Sequence, residues 1–277
     1  MREVQKVSLY VPCYNAQGYI NKCLEAALRQ SYPVDEILVI NDGSTDDTAA
    51  VASRYPVRII AGEYNNGLAS ARNTALRQAR NNFIASIDAD CVIGRDWLKE
   101  CMKNFDSPKV AMVGGRLEEA YDSNIADCWR SAHLKHHWGE ENITNPVFLS
   151  GSNLVMRKDL VGLAGVYDER RYRNNYEDVD LSLRVRRLGL DLVYEPAAQA
   201  MHIRRDTIIS ALETFWKWKF PDYKKKYLVR PVFNLVKSLK LIFHDLSHGK
   251  FKLIFMDIFA FLICTYCDFR LSLRKVQ

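Results

Sequence analysis

The stretch NNFIASIDADCVIG (residues 81–94) joins a short apolar run to two acids that are separated by one alanine. Residues 83–87 are aromatic, β-branched or small, which is typical of a strand that is buried on both faces. Asp88 and Asp90 follow directly, and two carboxylates held close together repel each other. A divalent cation removes that repulsion, so the stretch predicts a metal site at the end of a buried strand. A solvated acidic turn is the alternative.

Four further apolar runs have the same character and alternate with stretches of helical spacing. Between residues 20 and 28, and again between residues 68 and 79, apolar side chains recur every three or four positions. Buried strands that alternate with helices predict an α/β fold, in which helices cover both faces of a mostly parallel sheet. The additional strands are predicted at residues 7–11, 36–40, 57–60 and 110–113.

Polar turns follow three of these strands. They are PCYN (12–15), NDGSTDD (41–47) and DADC (88–91). Ligands of parallel sheets bind beyond the carboxyl ends of the strands, so we expect these turns to form one site. Ordinary turn chemistry is the alternative for each turn taken alone. In the second turn, Ser44 and Asp47 have the spacing of a capping box for the next helix.

The charge of the chain is uneven. Its 277 residues carry a net charge of +6. Residues 1–200 hold 24 Lys and Arg against 27 Asp and Glu, whereas residues 201–277 hold 15 against 6. The basic character therefore belongs to the last quarter of the chain, which suits contact with nucleic acid, anionic lipid or a phosphorylated ligand.

Seven cysteines are scattered along the chain, mostly among apolar neighbours, where a thiol behaves as a small hydrophobic group. Cys264 and Cys267 have CxxC spacing, but no second Cys or His pair lies nearby to complete a zinc site. The chain also opens on a predicted strand rather than on a signal peptide. We therefore expect a reducing, cytoplasmic compartment.

Three longer blocks carry a family resemblance. They are VSLYVPCYNAQGYINKCLEAALRQSYPVDEILVINDGSTDDT (7–48), NNGLASARNTALRQARNNFIASIDAD (65–90) and GSNLVMRKDLVGLAGVYDERRYRNNYEDVDLSLRVRRLGLDLVYEP (151–196). In this order they resemble a family 2 glycosyltransferase of bacterial type. The resemblance covers residues 5 to 205 and implies a glycosyltransferase A-type (Rossmann-like) fold. It places a nucleotide-sugar-binding catalytic domain in residues 1–205 and leaves a C-terminal helical extension in residues 206–277.

The resemblance implies a donor site at the carboxyl edge of the sheet. The loop after the first strand and the Asp of the DGS turn hold the base and ribose in this family, and a carboxylate at Asp42 suits a ring N–H of a pyrimidine or guanine. Arg72 lies where the family has an arginine near the donor, to neutralise phosphate or to hold an acid in place. The implied donor-binding residues are Pro12, Tyr14, Asn15, Asp42, Arg72, Asp88, Ala89 and Asp90.

The resemblance also implies a divalent metal ion, Mn²⁺ or Mg²⁺, at the two acids. Asp90 is its expected ligand, Asp88 contacts the ribose and the metal, and His202 is a third ligand. The alternative for His202 is a histidine that packs in a turn or at a strand end.

A second acidic pair, Glu177 and Asp178, precedes a run of helical spacing that ends at Gly189. Ordinary helix caps are the alternative for these two residues. By resemblance, Asp178 is the general base, and Glu177, Gly151 and Ser152 bind the acceptor. One base and one displacement imply inversion at the anomeric carbon, because the acceptor hydroxyl loses its proton as it attacks.

The segment HLKHHWGEE (133–141) places His133 and His137 one helical turn apart, a spacing found in some zinc sites. It lacks the order HExxH, however, and the resemblance puts the metal elsewhere. We predict a surface helix or an acceptor-side helix here.

The extension begins with TFWKWKFPDYKKKYLVRP (214–231), whose mixture of aromatic and basic residues is typical of membrane interfaces and of base-stacking surfaces. Apolar residues then recur at helical spacing in residues 232–242, and residues 253–267 are almost wholly apolar. A helix of that last length reaches about 22 Å, short of a bilayer core of about 30 Å. We predict an anchor lying in the membrane interface, or else a helical hairpin packed on protein.

The predicted function is transfer of one sugar, with inversion and with a metal ion, from a UDP-, GDP- or dTDP-sugar to a hydroxyl of a glycan or a polyprenol- or lipid-linked glycan. We expect it in cell-envelope polysaccharide or glycolipid synthesis, at the cytoplasmic face of the plasma membrane. A processive polysaccharide synthase is one alternative, but the QxxRW sequence of that class is absent. The other alternative is a non-catalytic module that binds a nucleotide-sugar or RNA. Of these partners, nucleic acid is the one that we do not expect.

Overall fold

The computed structural model describes residues 4–219 and 230–273. The chain divides into two compact units. The first contains Met1–Glu118 and His136–Arg204, and the second contains Glu119–Lys135 and Arg205–Gln277. The strands are β1 Val7–Cys13, β2 Glu36–Asn41, β3 Arg58–Ala61, β4 Phe83–Ile87, β5 Cys91–Ile93, β6 Val110–Glu119, β7 Ile143–Thr144, β8 Asn153–Arg157 and β9 Asp191–His202. The helices are α1 Ile20–Leu28, α2 Thr48–Ala52, α3 Leu68–Gln78, α4 Trp97–Met102, α5 Ile125–His133, α6 Lys158–Leu163, α7 Glu177–Arg187, α8 Ile208–Lys219, α9 Arg230–Ser247 and α10 Ile254–Leu273.

The strands form one mixed sheet in the order β3-β2-β1-β4-β8-β6-β9-β5, with β7 paired to β9. The pairs β1–β2, β2–β3 and β1–β4 are parallel. The pairs β4–β8, β6–β8, β5–β9 and β7–β9 are antiparallel. The sheet was predicted to be mostly parallel. Strands β1 to β4 are parallel, whereas the rest of the sheet, including the predicted strand at residues 110–113, pairs antiparallel, so the sheet is mixed.

Burial on both faces explains why β1 is almost wholly apolar. Val7, Leu9 and Val11 pack in one hydrophobic cluster, which includes residues of α1. Tyr10 points to the opposite cluster, which includes residues of α3 and α7. Alternate residues of a strand face opposite sides, so a central strand with helices on both sides needs apolar residues at every position. The carboxyl ends of β1, β2 and β4 consequently open on one edge of the sheet.

The capping box predicted for Ser44 and Asp47 is wrong. Helix α2 begins at Thr48, and Asp47 makes no capping bond with its side chain. Instead, Asp46 Oδ1 accepts a hydrogen bond from the backbone N of Thr48 (3.0 Å). The hydroxyl of Ser44 accepts one from the backbone N of Asn15 (3.0 Å) and so joins the loops after β1 and β2.

The second unit is helical and has its own core, formed by residues of α5, α8 and α10. Trp216 is buried there, and its indole N–H donates to Asp268 Oδ1 (3.1 Å). This indole thus packs inside the unit, although its neighbours in sequence had suggested an exposed interface. The basic and aromatic residues 220–229 of the same stretch lie outside the described residues.

The pair of helices α9 and α10 has an inverted pattern of burial. The buried residues of α9 are polar: Arg230, Asn234, Ser238 and Asp245. Their partners on α10 include Asp268, which accepts hydrogen bonds from Arg230 Nη1 and Asn234 Nδ2 (both 2.9 Å). The apolar residues predicted to follow helical spacing face outward together with others, as the exposure of Val232, Phe233, Leu235, Val236, Leu239, Phe243 and Leu246 shows. Of the helices within the described ranges, none combines the length and the hydropathy needed to cross a membrane.

Helix α5 ends at His133, so the predicted helix that carries both His133 and His137 does not form. The ring of His133 is 4% exposed and lies inside the helical unit rather than on a surface.

Candidate active site

A single buried arginine organises the carboxyl edge of the sheet. Arg72, on α3, is 2% exposed. Its Nη2 donates to Asp88 Oδ1 (2.9 Å), and its Nη1 donates to Glu177 Oε1 (2.7 Å). The ring of Tyr167 lies 5.8 Å from the guanidinium carbon. The arginine therefore joins the acid at the end of β4 to the first residue of α7, 89 positions further along the chain.

Burial and crowding both act on these acids. Burial raises the pKa of Asp88, Arg72 opposes the rise, and the like charge of Asp90 adds to it. Burial likewise raises the pKa of Glu177 from its ordinary value of 4.5 to about 7, against the pull of Arg72. Glu177 is 2% exposed and faces the guanidinium. Its position suits a residue that holds Arg72 in place better than one that contacts the acceptor.

Gly151 allows the guanidinium to lie against the backbone. A Cβ at this position would stand 1.8 Å from Arg72 Nη1. Its backbone N–H donates to Asp178 Oδ2 (2.8 Å), and its carbonyl accepts from the hydroxyl of Ser86 (2.5 Å). The predicted base Asp178 and the predicted donor residues Arg72 and Asp88 are thus parts of one bonded network.

Asp178 remains partly exposed at the beginning of α7. Its Oδ1 accepts the backbone N–H of Val179 (2.8 Å). The residue before the helix, Tyr176, has a φ of 74°, in the left-handed region that costs free energy for a residue with a side chain. Such strain is concentrated at functional sites. The turn aims Glu177 inward at Arg72 and leaves Asp178 at the rim.

Asp90 and His202 form the second polar pair at this edge. His202 Nε2 lies 3.1 Å from Asp90 Oδ2, and the ring is 6% exposed. The pairing of β5 with β9 places His202 opposite Cys91, which fixes this proximity. A carboxylate and an imidazole together are ligands that Mn²⁺ accepts.

The three predicted metal ligands do not form a closed cage. In the described part of the chain, the one group of three or more such side chains with ligand atoms within 4.8 Å of one another is His133, His244 and Asp245. Asp88 is turned to Arg72, so Asp90 and His202 are the better placed of the three. Two protein ligands are enough for a cation that also binds substrate phosphates.

The loops after β1 and β2 lie against each other at the same edge. Asn15 Oδ1 accepts from the backbone N of Thr45 (2.8 Å). Asp42 is buried, and its two oxygens accept the backbone N–H groups of Asn66 (3.0 Å) and Gly67 (2.7 Å). Asp42 therefore shapes the loop before α3, and any contact with a base uses its remaining lone pairs.

The other predicted donor and acceptor residues differ in exposure. Tyr14 is 49% exposed and free to stack on a planar ring. Pro12, near the end of β1, and Ala89, between β4 and β5, are buried. Ser152 is buried; its hydroxyl lies 2.7 Å from that of Ser150, and its carbonyl accepts the N–H of Asp88.

Sequence reasoning missed Ser86 and Tyr167, which lie beside Gly151 and the guanidinium. Ser86 was hidden inside an apolar strand, where a serine has no distinctive signal. Tyr167 lies inside the third resemblance block, but nothing in its sequence context indicates that its ring lies over the guanidinium of Arg72.

Comparison with known proteins establishes the family. Residues 8–161, more than half of the chain, match the family profile described as Glycosyl transferase family 2. The chain belongs to this family, as the sequence predicted. It is 29% identical over 173 residues to the glycosyltransferase AglE of Haloferax volcanii, covering 58% of this chain and 55% of that protein. It is 24% identical to the poly-beta-1,6-N-acetyl-D-glucosamine synthase of Staphylococcus epidermidis, covering 97% of this chain and 66% of that protein.

Solved structures share the fold. The mannosyltransferase PcManGT from Pyrobaculum calidifontis, in complex with GDP-Man and Mn²⁺, matches with a TM-score of 0.65 and 17% identity over 95% of this chain and 87% of its own. S. aureus TarS 1-349, in complex with UDP-GlcNAc, matches with a TM-score of 0.59 and 20% identity over 76% of this chain and 64% of its own. These matches confirm the predicted glycosyltransferase A-type fold.

Replacing Arg72 by methionine should lower the free energy of unfolding by about 3–5 kcal/mol, because Asp88 and Glu177 lose their shared partner. Urea denaturation measures the change. Arg77→Met, at an exposed position of the same helix, is the control and should shift the free energy by no more than about 0.5 kcal/mol. An Arg72→Met effect as small as that of the control would contradict the central place given to this arginine.

The raised pKa of Glu177 predicts a pH dependence of stability. The folded state binds this proton more tightly than the unfolded state, so the contribution is present below pH 4.5 and is lost as the pH rises through about 7. Glu177→Gln should therefore reduce the decline of the unfolding free energy across this range, measured in urea with a chelator present. The exposed Glu169→Gln is the control. Parallel curves for wild type and Glu177→Gln would show that the carboxyl is already ionised at low pH.

Proposed function

We propose that the protein transfers a sugar from a nucleoside diphosphate sugar to a hydroxyl of a glycan or lipid-linked glycan, with inversion at the anomeric carbon. The observation that carries the proposal is the bonded network at the sheet edge. Gly151 donates to Asp178 (2.8 Å) and packs against the guanidinium of Arg72, which donates to Asp88 (2.9 Å). The base and the donor residues thereby keep a fixed relative position, which is the main requirement of a reaction between two bound substrates.

The residues of this network divide the chemical work. Asp178 accepts the proton of the acceptor hydroxyl as its oxygen forms a bond to the anomeric carbon, and the bond from that carbon to the diphosphate oxygen breaks. Each oxygen of Asp178 receives one backbone N–H and keeps a second lone pair for that proton. General-base assistance of this kind contributes about 10²–10⁴-fold.

The donor set of Asp90 and His202 fits a divalent cation. Four carboxyls, those of Asp88, Asp90, Glu177 and Asp178, lie at this edge, and Arg72 forms ion pairs with two of them, Asp88 and Glu177. Carboxylate oxygens favour a hard or borderline cation such as Mg²⁺ or Mn²⁺. When bound, the cation supplies charge neutralisation for the departing diphosphate. Because Arg72 is already paired with Asp88 and Glu177, we propose that it holds these acids in place and does not contact the diphosphate directly.

The nucleotide is proposed to lie on the loops after β1 and β2, with its base beside the exposed ring of Tyr14. Arg72 donates to Asp88 Oδ1, and we propose that Asp88 Oδ2 contacts the ribose. Related folds bind UDP-GlcNAc in TarS and GDP-Man in PcManGT, which supports uridine and guanosine nucleotides as the first donors to test.

Repeated transfer is the second candidate function. The poly-beta-1,6-N-acetyl-D-glucosamine synthase is similar over 97% of this chain, and the chain in turn spans 66% of that enzyme. Single transfer is favoured because the QxxRW sequence is absent. Mass spectrometry of the products separates the two: a ladder of lengths indicates repeated transfer, and a single added mass indicates one transfer.

A thermal-shift screen of UDP, GDP and dTDP with Mn²⁺ tests the donor site. A ligand at 100 times its Kd stabilises the protein by about 2.7 kcal/mol. Asp90→Asn should remove the part of the nucleotide-induced stabilisation that depends on Mn²⁺. Asp178→Asn should keep the full thermal shift but lose turnover. Asp106→Asn, at an exposed position outside the site, should behave as the wild type. Absence of a shift with every nucleotide, or a full shift in Asp90→Asn, would overturn the proposed site.

We further propose that the helical unit binds the surface of an anionic membrane, at its cytoplasmic face. The apolar residues of α9 point outward while its polar residues pair with α10, an arrangement that suits apolar surroundings. Lys237, Lys240, Lys250 and Lys252 lie on the same two helices or on the turn between them, where basic residues are attracted to anionic lipid. All seven cysteines are free thiols, in keeping with a reducing compartment.

Flotation with phosphatidylserine-containing vesicles tests this surface. The double variant Phe233→Ser, Phe243→Ser removes two rings that are 58% and 75% exposed, so it should shift the protein from the vesicle fraction to the soluble fraction without lowering the melting temperature. Leu163→Ser, 69% exposed in the first unit, is the matched control. Equal binding of wild type and the double variant would refute lipid contact by this face. Binding to single-stranded RNA but not to vesicles would support the RNA-binding alternative.

A further inference from the structure

Three helices of the second unit bring together four side chains of the types that bind metal ions in proteins. His133 lies at the end of α5, His244 and Asp245 near the end of α9, and Asp257 in the first turn of α10. His133 Nε2 lies 3.0 Å from Asp245 Oδ2 and 3.9 Å from Asp257 Oδ1. His244 Nδ1 lies 2.9 Å from Asp245 Oδ1. Ligand atoms of His133, His244 and Asp245 all lie within 4.8 Å of one another.

The carboxyl of Asp257 is incompletely satisfied. The residue is fully buried, and its Oδ1 accepts the indole N–H of Trp129 (2.7 Å). Its Oδ2 is also buried, and no described residue donates a hydrogen bond to it. A buried polar atom without a partner costs about 1–3 kcal/mol, and more for a charged group.

Two buried carboxylates, those of Asp245 and Asp257, both lie close to the imidazole of His133. The described titratable neighbours are His244, 43% exposed, and Lys250, whose backbone N–H donates to the carbonyl of Asp245. A cation at the centre would satisfy the free Oδ2 of Asp257 and compensate both acids.

The geometry points to a Zn²⁺ site formed by His133, His244, Asp245 and Asp257. Four ligands at about 2.1 Å from a tetrahedral zinc stand roughly 3.4 Å apart. His244 and Asp245 are 2.9 Å apart, His133 and Asp245 are 3.0 Å apart, and His133 and Asp257 are 3.9 Å apart. The ligand atoms of His133, His244 and Asp245 lie within 4.8 Å of one another, and Asp257 lies at the edge of this group. Two imidazoles and two carboxylates are a ligand set that zinc accepts. The partly exposed ring of His244 provides an entry route for the ion.

This site shares no residue with the acidic edge of the sheet. Its ligands belong to α5, α9 and α10, all in the helical unit. A bound zinc fastens the turn between α9 and α10 to the end of α5. An ion that binds only the folded form stabilises that form, so the proposed role of the zinc is structural. Its binding does not depend on the proposed transfer reaction.

Direct metal binding tests the proposal. The full chain is freed of metal with a chelator, and Zn²⁺ is titrated against a competing chromophoric chelator. We expect one tight site per chain and a rise in melting temperature with Zn²⁺. Co²⁺ in place of zinc should give the visible absorption of a tetrahedral ion. His244→Gln, at the most exposed ligand, should weaken Zn²⁺ binding at least about 10–100-fold, and Asp257→Asn should do the same.

Two controls define the site. His248→Gln alters a ring that stacks on His244, with centroids 4.3 Å apart, but lies outside the ligand set, so it should retain Zn²⁺ binding. Asp90→Ala should retain it as well, because that residue belongs to the first unit. Circular dichroism verifies that each variant is folded. Lack of a stoichiometric site in the wild type, or unchanged binding in folded His244→Gln, would show that the cluster is an ion-pair network without metal.

Discussion

The buried guanidinium of Arg72 is the constraint on which the sheet edge depends. It is the positive group that joins Asp88, at the end of a parallel strand, to Glu177, at the start of a helix far along the chain. Burying either acid without a partner would cost free energy, and the two acids together offset the cost of burying the arginine. The arrangement fixes the side of the proposed site at which both substrates would meet.

Backbone shape completes what the ion pairs begin. Gly151 lies under the guanidinium because no side chain fits there, and its N–H holds Asp178. Tyr176 adopts a left-handed backbone so that consecutive acids point in different directions, one inward and one to the rim. A small local cost in strain thus separates the buried acid, Glu177, from the partly exposed Asp178, which is the proposed base. The network also explains why residues from α3, β4, the loop before β8 and α7 act as one unit.

Sequence patterns were sufficient for the parallel half of the sheet and for most of the acidic positions. Strands β1, β2 and β4 are mostly apolar and buried along their length, which is a strong signal for burial on both faces. The antiparallel half was less visible, because β5 and β7 contain three and two residues and β9 mixes buried with exposed positions. The contacts that each acid makes were harder to predict from the sequence than its position in the fold. That Glu177 faces Arg72, and that Asp42 is bonded to the backbone before α3, depends on contacts between residues far apart in sequence.

The interior of the α9–α10 hairpin has a consequence for how this part of the chain assembles. Helices that are held together by apolar packing lose their driving force in an oily solvent, whereas hydrogen bonds such as those of Asp268 with Arg230 and Asn234 keep theirs. The pairing of α9 with α10 would therefore persist in apolar surroundings, in which helices joined by apolar packing alone would separate.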